Sequence, residues 1–376
     1  MLRNKSGFSL VELIVVMAIF VIVIAITGEA FQQVVKQASQ QSKTAESNIE
    51  GVLGLEIMRK DIASAGFGLP WSFSGTINYN EAVGAIAAGY NDAPTNVPRA
   101  ICGGSVGDTP PTGYVAQSDY LVIKASNIGM SEAAQRWTYM DYTGVTKPPT
   151  VKPYTWPKEN LENGNRVTVI RVGLTSVFTK ELVVVGGSFF TQYNNDGLPD
   201  GFQPTESRIA HYIYGVDPSV DLRMPFNRAD YFVQDPGAAE RPARCAPNTG
   251  VLYKATVSHA DGTLTTLPLL DCVADMQVVY LLDTTSNGTM TEIDDISDLS
   301  PQQIREQLKA VKVYILTHEG GKDRYYSYPN ATIDVGPAGS GRNFNLSTGI
   351  GAEYKQYRWK VYFMTVKPEN VNIATQ

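Results

Sequence analysis

From Phe8 to Ile26 the chain is apolar with scarcely a break: Phe8-Ser9-Leu10-Val11-Glu12 leads into an uninterrupted run from Leu13 to Ile26. Counted from Phe8 the segment is 19 residues, enough at about 1.5 Å per residue to cross the hydrocarbon core of a bilayer. Helical spacing then continues through Phe31, Val35, Ala38, Ala45, Ile49, Val52, Leu53 and Ile57, with Gln, Ser and Lys between them. Ala65-Gly66-Phe67-Gly68-Leu69-Pro70 supplies the stop, with Gly just past the end and Pro soon after. Residues 8 to 65 therefore read as one helix of about 85 Å, its first part (8–28) suited to a membrane. Gly28 is the weakest interior position, at about 1 kcal/mol relative to Ala.

After Pro70 the period changes from 3.6 to 2. Runs at Asp119 to Ala125, Arg166 to Val172, Glu181 to Val185, Arg208 to Tyr214, Val251 to Val257, Cys272 to Asp283, Ala310 to Thr317 and Tyr354 to Val366 alternate in the manner of half-buried strands, separated by Gly, Pro and Asn clusters. Ser300-Pro301-Gln302-Gln303 predicts one helix, through a capping box with Pro in the first turn and Ile304 and Leu308 on its buried face. The pattern divides the chain into a short leader (1–7), a long helix (8–65) and a β-rich globular part (66–376), an α+β protein in which the helix packs on an antiparallel head.

Composition narrows the class. Of 376 residues only 18% are charged, while Gly is 33, Pro 21 and Tyr 20, which suits a turn-rich β protein. The net charge of −6 offers no general surface for phosphate, so no nucleic-acid partner is expected. The three cysteines have no zinc-site spacing. At most one bridge can form, with three free thiols as the alternative; of the three pairings Cys245 with Cys272 is favoured, because both flank strand-like runs, and its closure would stabilise by roughly 3 kcal/mol.

A secretory signal peptide also has a basic start and an apolar stretch. Here Glu12 lies inside the apolar segment, where an unpaired carboxylate costs roughly 2 to 3 kcal/mol, and no turn follows Ile26. Arg3 and Lys5 precede the segment and no Lys or Arg recurs before Lys36, which predicts a cytoplasmic N-terminus and an exported head.

Gly7-Phe8-Ser9-Leu10-Val11-Glu12 before an apolar helix resembles the type IV prepilin signature. The resemblance implies that a prepilin peptidase cuts after Gly7 and methylates Phe8, and that Glu12 meets the freed amine of a neighbouring subunit and sets register in a filament. Arg59-Lys60-Asp61-Ile62, Cys272 to Tyr280, Val311 to Leu316 and Tyr357 to Tyr362 are similar to stretches of the large minor pilins of the PilW kind and of their relative in type II secretion, pseudopilin J. The length favours the pilus. This likeness implies a minor pilin stored in the inner membrane as a single pass and then carried on the cell surface. It would promote pilus initiation, at the tip with other minor pilins. Its partners would be major and minor pilins, the peptidase, the inner-membrane assembly platform and a tip adhesin. The secretion pseudopilin is the alternative.

Other motifs concern the head. Asn194, Asp196 and Asp200 cluster oxygens around Gly197, resembling short Asp-Gly calcium loops, and an Asn-Asp-Gly hairpin turn explains the same residues without a metal. A calcium-dependent adhesive module on a pilin stem is the corresponding second reading. Asp283 to Gly288 with Asp294 and Asp295 is a weaker loop of the same kind. Gly103-Gly104-Ser105-Val106-Gly107 matches a nucleophile elbow, but Pro110 and Pro111 forbid the helix it requires. Gly336 to Gly341 lacks the Lys and Ser or Thr of a phosphate loop. His211, His259 and His318 have no ligand spacing. No enzyme is expected. Ala85 to Pro111 and Asp141 to Pro157 read as long insertions, with Tyr139, Tyr142, Tyr154 and Trp156 as anchors for any partner that docks there.

Overall fold

The computed structural model describes residues 10–142, 153–174, 178–206 and 209–371. A single helix runs from Leu10 to Ser64, uninterrupted at Gly28, where a Cβ would meet nothing. Gly66 ends it with φ +83°, its N–H donating to the Lys124 carbonyl at 3.0 Å. The β-rich head is mostly antiparallel, so the protein is α+β.

The large sheet runs in the order Arg358–Val366, Leu308–Glu319, Leu264–Leu282, Gly250–Val257, Asn227–Gln234, Asp119–Ala125 and Ile101–Ser105, with Thr291–Ile293 beside Leu264–Leu282. Leu264–Leu282 changes partner along its length: up to Val273 it pairs with Gly250–Val257, and from Val273 with Leu308–Glu319. Cys272, at φ +59°, marks the change. A smaller sheet has the order Ser72–Phe73, Phe178–Leu182, Arg166–Leu174, Ile209–Asp217, Trp137–Asp141, with Thr191–Gln192 on Arg166–Leu174. Its first pair is parallel.

Two cores lie on opposite faces of the large sheet. Met58, Ile62 and Ala65 of the helix pack with Leu121, Ile123, Tyr231, Leu252, Met276 and Val313 on one face. Tyr120, Val122, Phe232 and Ala255 pack on the other, with Ile170 and Leu182 of the small sheet. Central strands are therefore buried on both sides. Asp119–Ala125 is buried at every position, and Leu264–Leu282 is nearly so beyond Leu269, which corrects the half-buried expectation.

Other boundaries shift for local reasons. Ala352–Gln356 is a 3-10 turn set by Gly351 at φ +98°, so the last strand starts at Arg358 rather than Tyr354. Pairing after Phe178 ends at Leu182, and Val185 makes only a bridge to Ser188. Leu308 caps the short helix Pro301–Gln307 and opens the next strand, leaving Ile304 as that helix's buried residue. Ser300 and Gln303 form the capping box. The stretch Ala85 to Pro111 is no free insertion: it contains the strand Ile101–Ser105.

Candidate functional site

The stem helix is exposed from Leu10 through Gly28, and nothing in its own head covers that apolar length. Glu12 lies in its first turn and is exposed. Gly7 and Phe8 lie outside the described residues.

The other end of the stem is built into the head. Gly51 and Gly54 let the helix approach closely: a Cβ on Gly51 would stand 3.0 Å from the Tyr362 hydroxyl, and one on Gly54 would strike the Leu269 carbonyl. Asp61, 7% exposed, pairs with Lys254 Nζ at 2.5 Å and accepts a hydrogen bond from the Tyr231 hydroxyl at 2.7 Å. Burial first, and then the Asp61 carboxylate, push the Tyr231 phenol well above its ordinary range. Asn127 Nδ2 donates to Ser64 Oγ at 3.3 Å, and the Glu369 N–H donates to the Ala63 carbonyl at 2.9 Å. The outward face here is Val52, Leu53 and the ion pair Glu56–Arg59.

The head is held by buried charge that the sequence pattern does not reveal. Lys124 contacts Glu81 at 2.7 Å and Asp92 at 2.6 Å. Arg228 donates to both oxygens of Asp230, to Glu81, to Asn91 Oδ1 and to the Ala87 carbonyl. Removing either cation leaves carboxylates without solvent.

Where Asp119–Ala125 passes the second half of Leu264–Leu282, side chains close the seam. Asp119 Oδ2 accepts from the Val278 N–H at 2.7 Å, and Gln277 Nε2 donates to the Gln117 carbonyl at 2.9 Å. Burial pushes the Asp119 carboxyl up to about 8 and the Asp275 carboxyl up to about 7, the latter against the opposing pull of Arg342 at 3.5 Å. Both groups prefer the proton when folded. Their contribution is complete below an unfolded carboxylate's pKa near ~4 and is lost as pH rises through 7 and 8. Burial lowers His259 to about 4 and His318 to about 3, which costs stability only below their ordinary range. Melting temperature of a soluble version starting at residue 29 is therefore expected to fall between pH 6.5 and 8.5, and Asp119→Asn should flatten much of the slope. An unchanged slope in that variant rejects the assignment.

Among the head residues that the sequence singles out, Cys245 and Cys272 are joined as a disulfide, with Cα atoms 4.8 Å apart, and His318 packs beside them. Cys102 is buried between the sheets. Asn194 Oδ1 accepts from the Asp196 N–H at 3.0 Å, so that side chain organises its own turn, and Asn194, Asp196 and Asp200 are all exposed. Calcium binding at this loop is a proposal with a direct test: millimolar calcium should raise the melting temperature relative to chelator, and Asp196→Ala should abolish the rise. Equal temperatures dispose of it. Asp283 Oδ2 accepts from the Gly288 N–H within its own loop, and Asp294 and Asp295 are exposed. Gly103 to Ser105 lie on an edge strand, and Gly336 to Gly341 join the hairpin strands Thr332–Val335 and Arg342–Asn345. The three histidines are buried. Tyr154, Tyr212 and Tyr214 gather round Trp137 and Tyr139 packs on Tyr212, while Trp156 is 71% exposed. Much of Asp141 to Pro157 lies outside the described residues, and Tyr142 at its start is half-buried.

An exposed apolar stem rooted in a β head is the plan of a membrane-anchored filament subunit. Residues 2–28 match the family model of the prokaryotic N-terminal methylation motif. Residues 230–370 match that of type IV pilus-assembly protein W. The two matches, at opposite ends of one chain, support a PilW-like type IV minor pilin, and the motif with the one long apolar N-terminal helix found among the described residues fits an inner-membrane-anchored pilin. The pilus-assembly family is structural rather than enzymatic. No curated protein and no solved structure matches the chain.

Proposed function

We propose that this minor pilin acts at the start of pilus assembly and stays at the filament tip with other minor pilins. Its partners on this reading are the prepilin peptidase, the inner-membrane assembly platform, the pilins of the filament and a tip adhesin. The N-terminus stays cytoplasmic, the apolar stem holds a single pass in the inner membrane until assembly, and the stem then packs in the filament core. The observation that carries the reading is the stem itself, exposed over Leu10 to Gly28 and locked to the head through Asp61, Lys254 and Tyr231. A helix that apolar needs either lipid or other helices around it.

The size of the head supports a terminal place. Among the described residues three sheets, of eight, six and two strands, stand on one stem, and a bulky head is most easily accommodated where no subunit has to follow above it. Deletion of the gene should reduce pilus number sharply while the major pilin accumulates in the inner membrane, and antibody against the head should label filament ends. Normal pilus numbers in the deletion strain reject initiation, and labelling along the whole shaft rejects the tip.

A further inference from the structure

We infer that the strand Arg358–Val366 is an open docking edge that takes a β-strand from the head of a different pilin, an inference that rests on the pilin reading above. The two ends of the large sheet differ. Ile101–Ser105 is short and covered: Gly104 faces the Asp295 carboxylate, and Arg99 Nη1 donates to the Ser297 carbonyl at 2.7 Å across that side. Arg358–Val366 is nine residues long and pairs only with Leu308–Glu319 among the described residues.

Open edges in soluble proteins are guarded by Lys, Pro, a bulge or an inward charge. Here the two cations of the strand are tied to carboxylates of the same head, Arg358 to Asp323 at 2.8 Å and Lys360 to Glu319. The remainder, Val361-Tyr362-Phe363-Met364-Thr365-Val366, has no charge, no Pro and no Gly, and its register against Val311 to Leu316 is unbroken. That composition is one that recruits another strand. Both faces of the edge carry apolar groups. Phe363 is 57% exposed with its ring on Tyr314 at 4.8 Å, and Tyr362 and Met364 flank the helix core on the other face.

The position of the edge selects the occupant. Tyr362 stands against Gly51, and Glu369, three residues past the strand, bonds to Ala63. Strand and stem thus run side by side in the same direction. Val52 and Leu53, 64% and 66% exposed, continue the apolar strip onto the stem. A subunit that packs by its stem against this one arrives along the edge. A second copy is a poor occupant: antiparallel pairing of two identical edges would reverse one strand, and with it one stem, out of the shared membrane orientation, and parallel pairing needs a two-fold axis along the stems, which the screw relating neighbours in a filament does not supply. A strand from another pilin's head carries no such constraint.

The test uses the full-length chain in piliated cells with a photo-crosslinking amino acid at the exposed Thr365. A cross-link to another pilin, identified by mass spectrometry of the adduct, is expected. Phe363→Lys added to the chain that carries the cross-linker should lose that adduct, and the double variant Phe363→Lys and Thr365→Lys should lower the filament count about tenfold or more, with the protease resistance of the head unchanged because both side chains are exposed. Adducts only to a second copy, or no adduct, or an undiminished filament count, overturn the inference. Gly7→Val in the same strain separates the two readings: if that variant also leaves filaments normal, the pilin reading fails, and if it alone abolishes them, the edge does.

Discussion

Arg228→Met is expected to cost roughly 3 to 5 kcal/mol of head stability, the range for breaking one side of a buried ion pair. Arg228 is 1% exposed and donates to Asp230 at 2.7 and 2.8 Å, to Asn91 Oδ1 at 2.6 Å and to Glu81 at 3.1 Å. Methionine fills much of the space but returns no donor. Asp230 would keep only the Tyr120 hydroxyl at 2.6 Å, and Glu81 would keep Lys124 and the N–H groups of Asp92 and Ala93. Against a domain stability of about 5 to 15 kcal/mol, the variant should be partly unfolded or proteolysed at growth temperature. Arg228→Lys, which keeps the charge but not the planar fork, should fall between the two. Arg228→Met combined with Asp230→Leu should recover part of the loss, since no lone charge then remains on that strand. Urea midpoints on the soluble version starting at residue 29 measure all three, and a loss below about 1 kcal/mol for Arg228→Met means that the network contributes little.

That network shows where reading the sequence stops. Asn227-Arg228-Ala229-Asp230 looks like a polar turn, yet it begins a strand buried at seven of its eight positions, because Arg228 and Asp230 neutralise each other and Glu81 closes the set from 147 residues away. Ile101–Ser105 is hidden for a simpler reason: Gly103 and Gly104 carry no side chain to alternate, and their place is fixed by Tyr280 and Asp295. Local signals, by contrast, are legible. The stop at Gly66 and the capping box at Ser300 each need only a few neighbouring residues. The central strands show in the sequence, but with one wet face, since nothing in Asp119 to Ala125 tells that a second sheet will cover it.

The processing signature is a local one too, matched over residues 2–28, and its variant carries the largest expected functional effect. Gly7→Val should leave the precursor uncut in the inner membrane, since the resemblance to prepilins implies a peptidase that accepts almost no side chain before Phe8. The mature mass should be absent and surface filaments should be lost; a correctly cut protein in normal filaments rejects the reading. Glu12→Val should act one step later. Its precursor should be cut normally, because Glu12 sits beyond the cleavage point on the exposed first turn of the stem. In lipid a carboxylate costs about 2 to 3 kcal/mol, which favours leaving the bilayer for a neighbour that supplies positive charge. An attraction of about 2 kcal/mol between subunits is roughly a thirtyfold factor in the equilibrium of each addition. Valine removes both the cost in lipid and the reward in the filament, so the variant should stay in the membrane with its head folded, and pilus number should fall. Counts equal to wild type with cut, membrane-depleted protein would remove Glu12 from assembly altogether.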